Sequence, residues 1–142
     1  MKIVVASDEE TNLTVLVVEH LKEKGQELVL LGALVDKENN KWAEIGREAA
    51  MKVANGEAEQ GILFCWSGTG ICMAANKVKG VRAALCWDAE TAQLARKWND
   101  ANMLCLSLRF TSETLAKEIL DTWFKTEFNE EGLDEVHKLD LL

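Results

Sequence analysis

The chemistry-bearing feature of this chain is a cysteine that ends an apolar run and is followed at once by a hydroxyl and a glycine-rich turn: Gly61-Ile-Leu-Phe-Cys65-Trp66-Ser67-Gly68-Thr69-Gly70-Ile71. The pattern predicts a strand that delivers Cys65 to the mouth of a turn opening a helix. Backbone N–H groups from Ser67 to Ile71, with the positive end of that helix, favour negative charge there, on a ligand oxygen or on the Cys65 sulfur. Taken separately, a cysteine at a strand end is usually a small buried hydrophobe, and Ser67-Gly68-Thr69-Gly70 only a tight connection. Their adjacency makes Cys65 the leading catalytic candidate.

Such a thiol needs a framework of alternating strands and helices, and the hydrophobic periodicity supplies one. Strand candidates are Lys2–Ala6, Glu27–Leu31, Gly61–Phe64, Val81–Cys86 and Met103–Leu106, several apolar throughout, as in a parallel sheet covered on both faces. Leu13, Leu16, Val17 and Leu21 mark one helix face ending at Gly25, and Ile45, Ala49 and Val53 mark another ending near Gly56. Thr69–Lys77, Ala89–Trp98 and Ser112–Lys125 complete the helices, the last capped by Ser112 with Leu115, Ile119 and Trp123 facing inward. The expected fold is α/β: a three-layer, doubly wound, five-stranded parallel sheet of Rossmann-like type, one domain spanning 1–142. The acidic stretch 127–142 is the one compositional shift and reads as an extra helix packing on a neighbouring subunit.

Ligands of such sheets bind beyond the carboxyl ends of the strands. Here those ends read Ser7-Asp8-Glu9, Cys65-Trp66-Ser67, Cys86-Trp87-Asp88 and Ser107-Leu108-Arg109, so one rim would carry acids, a thiol, hydroxyls and an arginine. Trp66, Trp87 and Trp98 are expected near that rim as a pocket wall.

With 142 residues, 48% of them apolar, the chain can bury one substantial core. A net charge of −8 with interleaved basic residues argues against a nucleic-acid surface. The opening residues show neither a long apolar span nor a cleavage site, so no signal peptide or membrane helix is expected and the cytoplasm is the expected location. Cys65, Cys72, Cys86 and Cys105 form no CxxC pair and have no histidine at zinc-ligand spacing; free thiols are expected.

The segment CWSGTGICMAANKVKGVRAALCWDAETAQLARKWNDANMLCL, Cys65 to Leu106, closely resembles the ribose-5-phosphate isomerase B and galactose-6-phosphate isomerase family, and a weaker likeness runs from Met1 to about Phe128. The resemblance implies a sugar-phosphate aldose–ketose isomerase, dimeric or tetrameric with sites at subunit interfaces, using no metal or cofactor. It implies that Cys65 is the base that moves a proton between adjacent carbons through an enediolate. Ser67 and the backbone of Gly68, Thr69 and Gly70 would stabilise the oxyanion, Asp8 and Asn99 would meet the sugar, and Arg109 would help bind phosphate. Cytoplasmic location, a small sugar or sugar-phosphate ligand and a homodimer or homotetramer complete that expectation.

Several positions depart from the family pattern. Glu9 follows Asp8 where the family has a histidine, and Trp98 and Trp87 replace two more, the first of them the ring-opening histidine. Indole has one N–H donor and no basic nitrogen, so Trp98 cannot shuttle the proton that opens a furanose. No arginine follows Arg109, and the tail carries Glu130, Glu131, Asp134 and Glu135 instead. Ribose 5-phosphate is therefore not the expected substrate. Each candidate has a plainer alternative: Asp8 could cap the helix starting near Thr11, Glu9 could be solvated surface, not an acid/base group, Asn99 could turn the chain, and Arg109 could pair with a carboxylate. For the whole chain the alternative is a non-catalytic sugar or sugar-phosphate binding protein on the same scaffold.

Overall fold

A computed structural model describes all of residues 1–142. Five strands, β1 (Lys2–Ser7), β2 (Glu27–Gly32), β3 (Gln60–Cys65), β4 (Ala83–Leu85) and β5 (Met103–Ser107), form one parallel sheet in the order β2-β1-β3-β5-β4. The helices are α1 (Asn12–Glu23), α2 (Trp42–Ala54), α3 (Thr69–Asn76), α4 (Ala89–Asn99), α5 (Glu113–Lys125) and α6 (Leu133–Asp140). Side chains alternate along each strand and feed two cores. Ile3, Val5, Ile62, Phe64, Leu104 and Leu106 pack with α1, α4 and α5, whereas Val4, Ala6, Leu63, Cys65, Met103 and Cys105 pack with α2 and α3. The doubly wound expectation holds.

The helix after β1 and the helix after β3 lie on opposite faces of the sheet, so the winding reverses between these two neighbouring strands. The two strands stay paired to their ends, with the Asp8 N–H donating to the Phe64 carbonyl at 3.4 Å, but the connections that leave them diverge to opposite faces and frame a crevice. Ser7-Asp8 borders it on one side and Cys65-Trp66-Ser67 on the other.

Local chemistry sets the helix ends. Thr11 caps α1 in a reciprocal box: the Thr14 N–H donates to Thr11 Oγ1 at 3.3 Å and the Thr11 N–H to Thr14 Oγ1 at 2.9 Å. This corrects the reading of Asp8 as the cap and leaves its carboxylate unused by the helix. Asp88 caps α4 through the Thr91 N–H at 2.7 Å, and Ser112 caps α5 through the Leu115 N–H at 3.1 Å. Trp123 is fully buried, with Nε1 donating to Gln60 Oε1 at 2.8 Å.

The fourth strand, expected over Val81–Cys86, contracts to Ala83–Leu85. It is an edge strand paired only with β5, and the Asn102 side chain takes the Arg82 N–H at 2.8 Å where a ladder bond would stand. The acidic tail folds as a 3-10 turn, Glu130–Gly132, followed by α6, which packs on α4 of its own chain with Val136 buried. Asp140 reaches Arg82 Nη1 at 3.0 Å. No helix is long and apolar enough to cross a membrane.

Candidate active site

Cys65 is the last residue of β3 and pairs with Ser107, the last residue of β5. Only 5% of it is exposed, and the exposed part faces the crevice. The chain then turns sharply: Gly68 has φ +78°, and a Cβ there would sit 2.6 Å from Leu85 Cδ1 and 3.0 Å from the Leu106 carbonyl carbon. Glycine is required on both counts. Ser67 Oγ lies 2.7 Å from Thr69 Oγ1 and 3.4 Å from the Thr69 N. The N–H groups of Ser67, Gly68, Gly70 and Ile71 find no acceptor within the chain, so the turn that follows the thiol carries unpaired backbone donors, and Ser67 and Gly70 line the cleft with Cys65.

The crevice is a cleft of roughly 290 Å3 lined by Asp8, Cys65, Trp66, Ser67, Thr69 and Gly70, with Trp42 and Met73 as walls. Burial lifts the Asp8 carboxyl above its ordinary range, and the charge of Glu9 adds to the shift. Ser7 holds this turn: its Oγ accepts the Glu9 N–H at 3.2 Å and donates to the Glu9 carbonyl. Asp8, Glu9 and Trp66 also border an adjoining cleft of roughly 400 Å3, closed by Lys37, Glu38 and Asn40. Glu9 itself is exposed at this outer cleft.

Arg109 is exposed and forms no ion pair within its own chain. Its backbone N–H donates to the Trp66 carbonyl at 3.0 Å, so its loop is stapled to the thiol turn. Trp66 and Trp87 are exposed at the same end of the sheet, at 60% and 54%.

Trp98 and Asn99 lie elsewhere. They end α4, which runs antiparallel to the strands from Asp88 back to the edge where β5 begins, and they line clefts with Val136, Leu139 and Leu142 of the tail. The expected grouping of Trp98 with Trp66 and Trp87 is thus corrected: a helix that starts at the carboxyl edge finishes at the amino edge. From Gly61 to Cys65 along β3 that separation is roughly 13 Å at about 3.3 Å per residue.

The remaining thiols have no access to the crevice. Burial pushes Cys86 up to about 12 and Cys105 well above its ordinary value, while a hydrogen bond with Cys105 draws Cys72 down. His20 is held by Asp121 at 2.8 Å, and His137 sits on α6, so no imidazole lines the Cys65 cleft. No three His, Cys, Asp or Glu side chains converge to hold a metal ion.

Two wall residues escaped sequence reasoning. Trp42 opens α2 and lies flat against Gly70, whose Cβ would come within 2.9 Å of the indole; Met73 is one turn further along α3. The available signal was Gly46, which lets α2 approach α3 so closely that a Cβ would meet Ala74 and Ile71 at 3.0 Å. The assembled site brings a thiol, a carboxyl and the unpaired N–H groups of Ser67 and Gly70 to one cleft, an arrangement able to move a proton and stabilise an oxyanion.

Residues 3–141 match the family model described as Ribose/Galactose Isomerase. A probable ribose-5-phosphate isomerase B of Mycoplasma genitalium is 43% identical over 129 residues, covering 89% of this chain and 84% of that one. A D-erythrulose-4-phosphate isomerase of Pectobacterium atrosepticum is 36% identical over 116 residues, covering 82% and 76%. Among solved structures, ribose-5-phosphate isomerase B of M. genitalium with bound ribulose-5-phosphate superposes with a TM-score of 0.90 at 38% identity, covering 99% of this chain and 94% of that one.

Proposed function

We propose that this chain, which belongs to the ribose/galactose isomerase family, interconverts an open-chain aldose phosphate and its ketose, with Cys65 as the base. In this reading the thiolate takes a proton from the carbon beside the carbonyl, the enediolate oxygen is received by the N–H groups of Ser67, Gly68 and Gly70, and the proton is returned to the neighbouring carbon. Asp8, raised by burial, holds a sugar hydroxyl; Glu9 borders the outer cleft as a second acid/base group. Arg109 takes the phosphate. The four free cysteines suit a reducing cytoplasm.

Asn99 and Trp98 cannot reach Cys65 of their own chain. A second copy that lays the end of its α4 over the crevice would bring them there, as the family's interfacial sites imply, and the exposed Trp66 and Trp87 offer it an apolar rim. A homodimer is therefore part of the proposal.

The observation that carries the substrate assignment is the indole at position 98, with no imidazole among this chain's own residues at the cleft. Opening a furanose needs a group that both gives and takes a proton, and Trp98 does neither. A tetrose 4-phosphate needs no such group: phosphate on O4 blocks the only hydroxyl that could close a five-membered ring. The D-erythrulose-4-phosphate isomerase of P. atrosepticum gives that class a named precedent among the relatives. Turnover of D-erythrulose 4-phosphate and of D-ribose 5-phosphate by the same preparation tests the assignment. The tetrulose phosphate is expected to lead in kcat/KM by at least about tenfold, and Trp98→His to narrow the gap. Ribose 5-phosphate turned over equally well by the unaltered protein would overturn it.

A further inference from the structure

Ser107 belongs to none of the roles above, yet it is tied to both ends of the site. Its side chain is nearly buried, the residue being 9% exposed, and it stands opposite Cys65 in the β3–β5 register. Its Oγ–H donates to the Trp66 carbonyl at 2.8 Å, and Oγ accepts the Phe110 N–H at 3.0 Å. The Trp66 carbonyl receives a second donor, the Arg109 N–H, at 3.0 Å, while the Leu108 N–H takes the Cys65 carbonyl at 3.0 Å. Two successive carbonyls on the thiol turn are thus held from β5 and the loop that follows it.

The Trp66 carbonyl and the Ser67 N–H are opposite poles of one peptide group. Every peptide bond in the chain is trans, so that N–H points away from the carbonyl. With the carbonyl drawn toward β5, the N–H is turned toward β1, the side on which Asp8 and the cleft lie, and it has no acceptor in the chain. Two donors on one carbonyl polarise the amide and strengthen its N–H as a donor. They also fix its direction, so that nothing reorganises when charge develops on the substrate oxygen.

We propose that Ser107 is a positioning residue that aims and sharpens the Ser67 N–H toward the enediolate oxygen. The proposal rests on the reading of Cys65 as the isomerase base. Ser107→Ala removes one of the two donors to the Trp66 carbonyl, leaving the Arg109 N–H and touching no group that meets substrate, and Ser107→Thr restores the hydroxyl. Removing an oxyanion donor outright costs about 10²–10³ in kcat; weakening one at a distance of one peptide is expected to cost about tenfold, with KM for D-erythrulose 4-phosphate changed by less than about twofold. A hydroxamate that mimics the enediolate should lose the same factor in affinity, and Ser107→Thr should regain most of it. The Ser67 amide proton resonance of the ligand-free protein should move upfield in Ser107→Ala, a readout independent of activity and also available in Ser107→Gly.

An unchanged kcat and an unmoved Ser67 resonance in Ser107→Ala, or a loss that falls on KM alone, would overturn the proposal. Failure of the wild-type chain to isomerise would count instead against the Cys65 reading, because the amide shift tests the clamp without turnover.

Discussion

Gly68→Ala perturbs the turn at its most constrained point, and the structure sets the size of the effect. Gly68 sits at φ +78°, where an L-residue pays about 1–2 kcal/mol. Its new Cβ would lie 2.6 Å from Leu85 Cδ1, a flexible tip that can move, but also 3.0 and 3.1 Å from the Leu106 carbonyl carbon and oxygen, which belong to a strand hydrogen-bonded on both sides and cannot. Overpacking of this kind adds about 1–3 kcal/mol. Gly25 supplies the control: φ is +80° but nothing lies within 4 Å of a Cβ, so Gly25→Ala pays the backbone term alone. Urea unfolding of both variants, at equal protein concentration so that association does not shift the midpoint, should place Gly68→Ala below Gly25→Ala by about 1–3 kcal/mol. On heating, a total loss of about 3 kcal/mol corresponds to a drop in Tm of roughly 6–12 °C. Equal losses in the two variants would refute the packing argument, and with it the claim that β5 fixes the turn.

Two further substitutions separate stability from binding. Asp8→Asn removes an acid whose ionisation burial disfavours in the folded chain. Its raised pKa means that ionisation costs stability as pH climbs through and above the ordinary value of 3.8; Asp8→Asn should therefore raise Tm at neutral pH, with the gain vanishing below that value, while KM rises. A gain that persists at low pH would refute the burial argument. Arg109→Met should leave Tm within about 2 °C, since the guanidinium is exposed and unpaired, while KM for a phosphorylated substrate rises about tenfold or more; steady-state kinetics on a phosphorylated and an unphosphorylated sugar check that the loss is specific to phosphate.

Much of this was legible in the chain because parallel strands and amphipathic helices carry strong local periods. The Ile3/Val5 and Val4/Ala6 alternation, the Ser112 cap and the glycine turn after Cys65 are decided within a few residues of sequence. Partner choice and direction across the sheet are not. Trp98 and Trp87 are eleven residues apart and look equivalent by composition, yet Trp87 precedes α4 at the carboxyl edge of the sheet and α4 carries Trp98 to the amino edge. Trp42 reaches Gly70 only because α2 and α3 are neighbours on one face, and Ser107 meets Trp66 only because β3 and β5, not β3 and β4, are adjacent. Asp8 as a cap failed for a local reason: the Thr11–Thr14 box satisfies the same N–H groups better.

Whether Cys65 moves a proton between carbons is read from solvent deuterium exchange. The wild-type chain is incubated in D2O with D-erythrulose 4-phosphate and deuterium at the carbon beside the carbonyl is followed by NMR, alongside Cys65→Ala with ligand binding measured separately. Exchange is expected in the wild type, with its loss in Cys65→Ala and binding retained in both. Exchange that survives in Cys65→Ala would place the base elsewhere, and binding without exchange in the wild type would make this a sugar-phosphate binding protein.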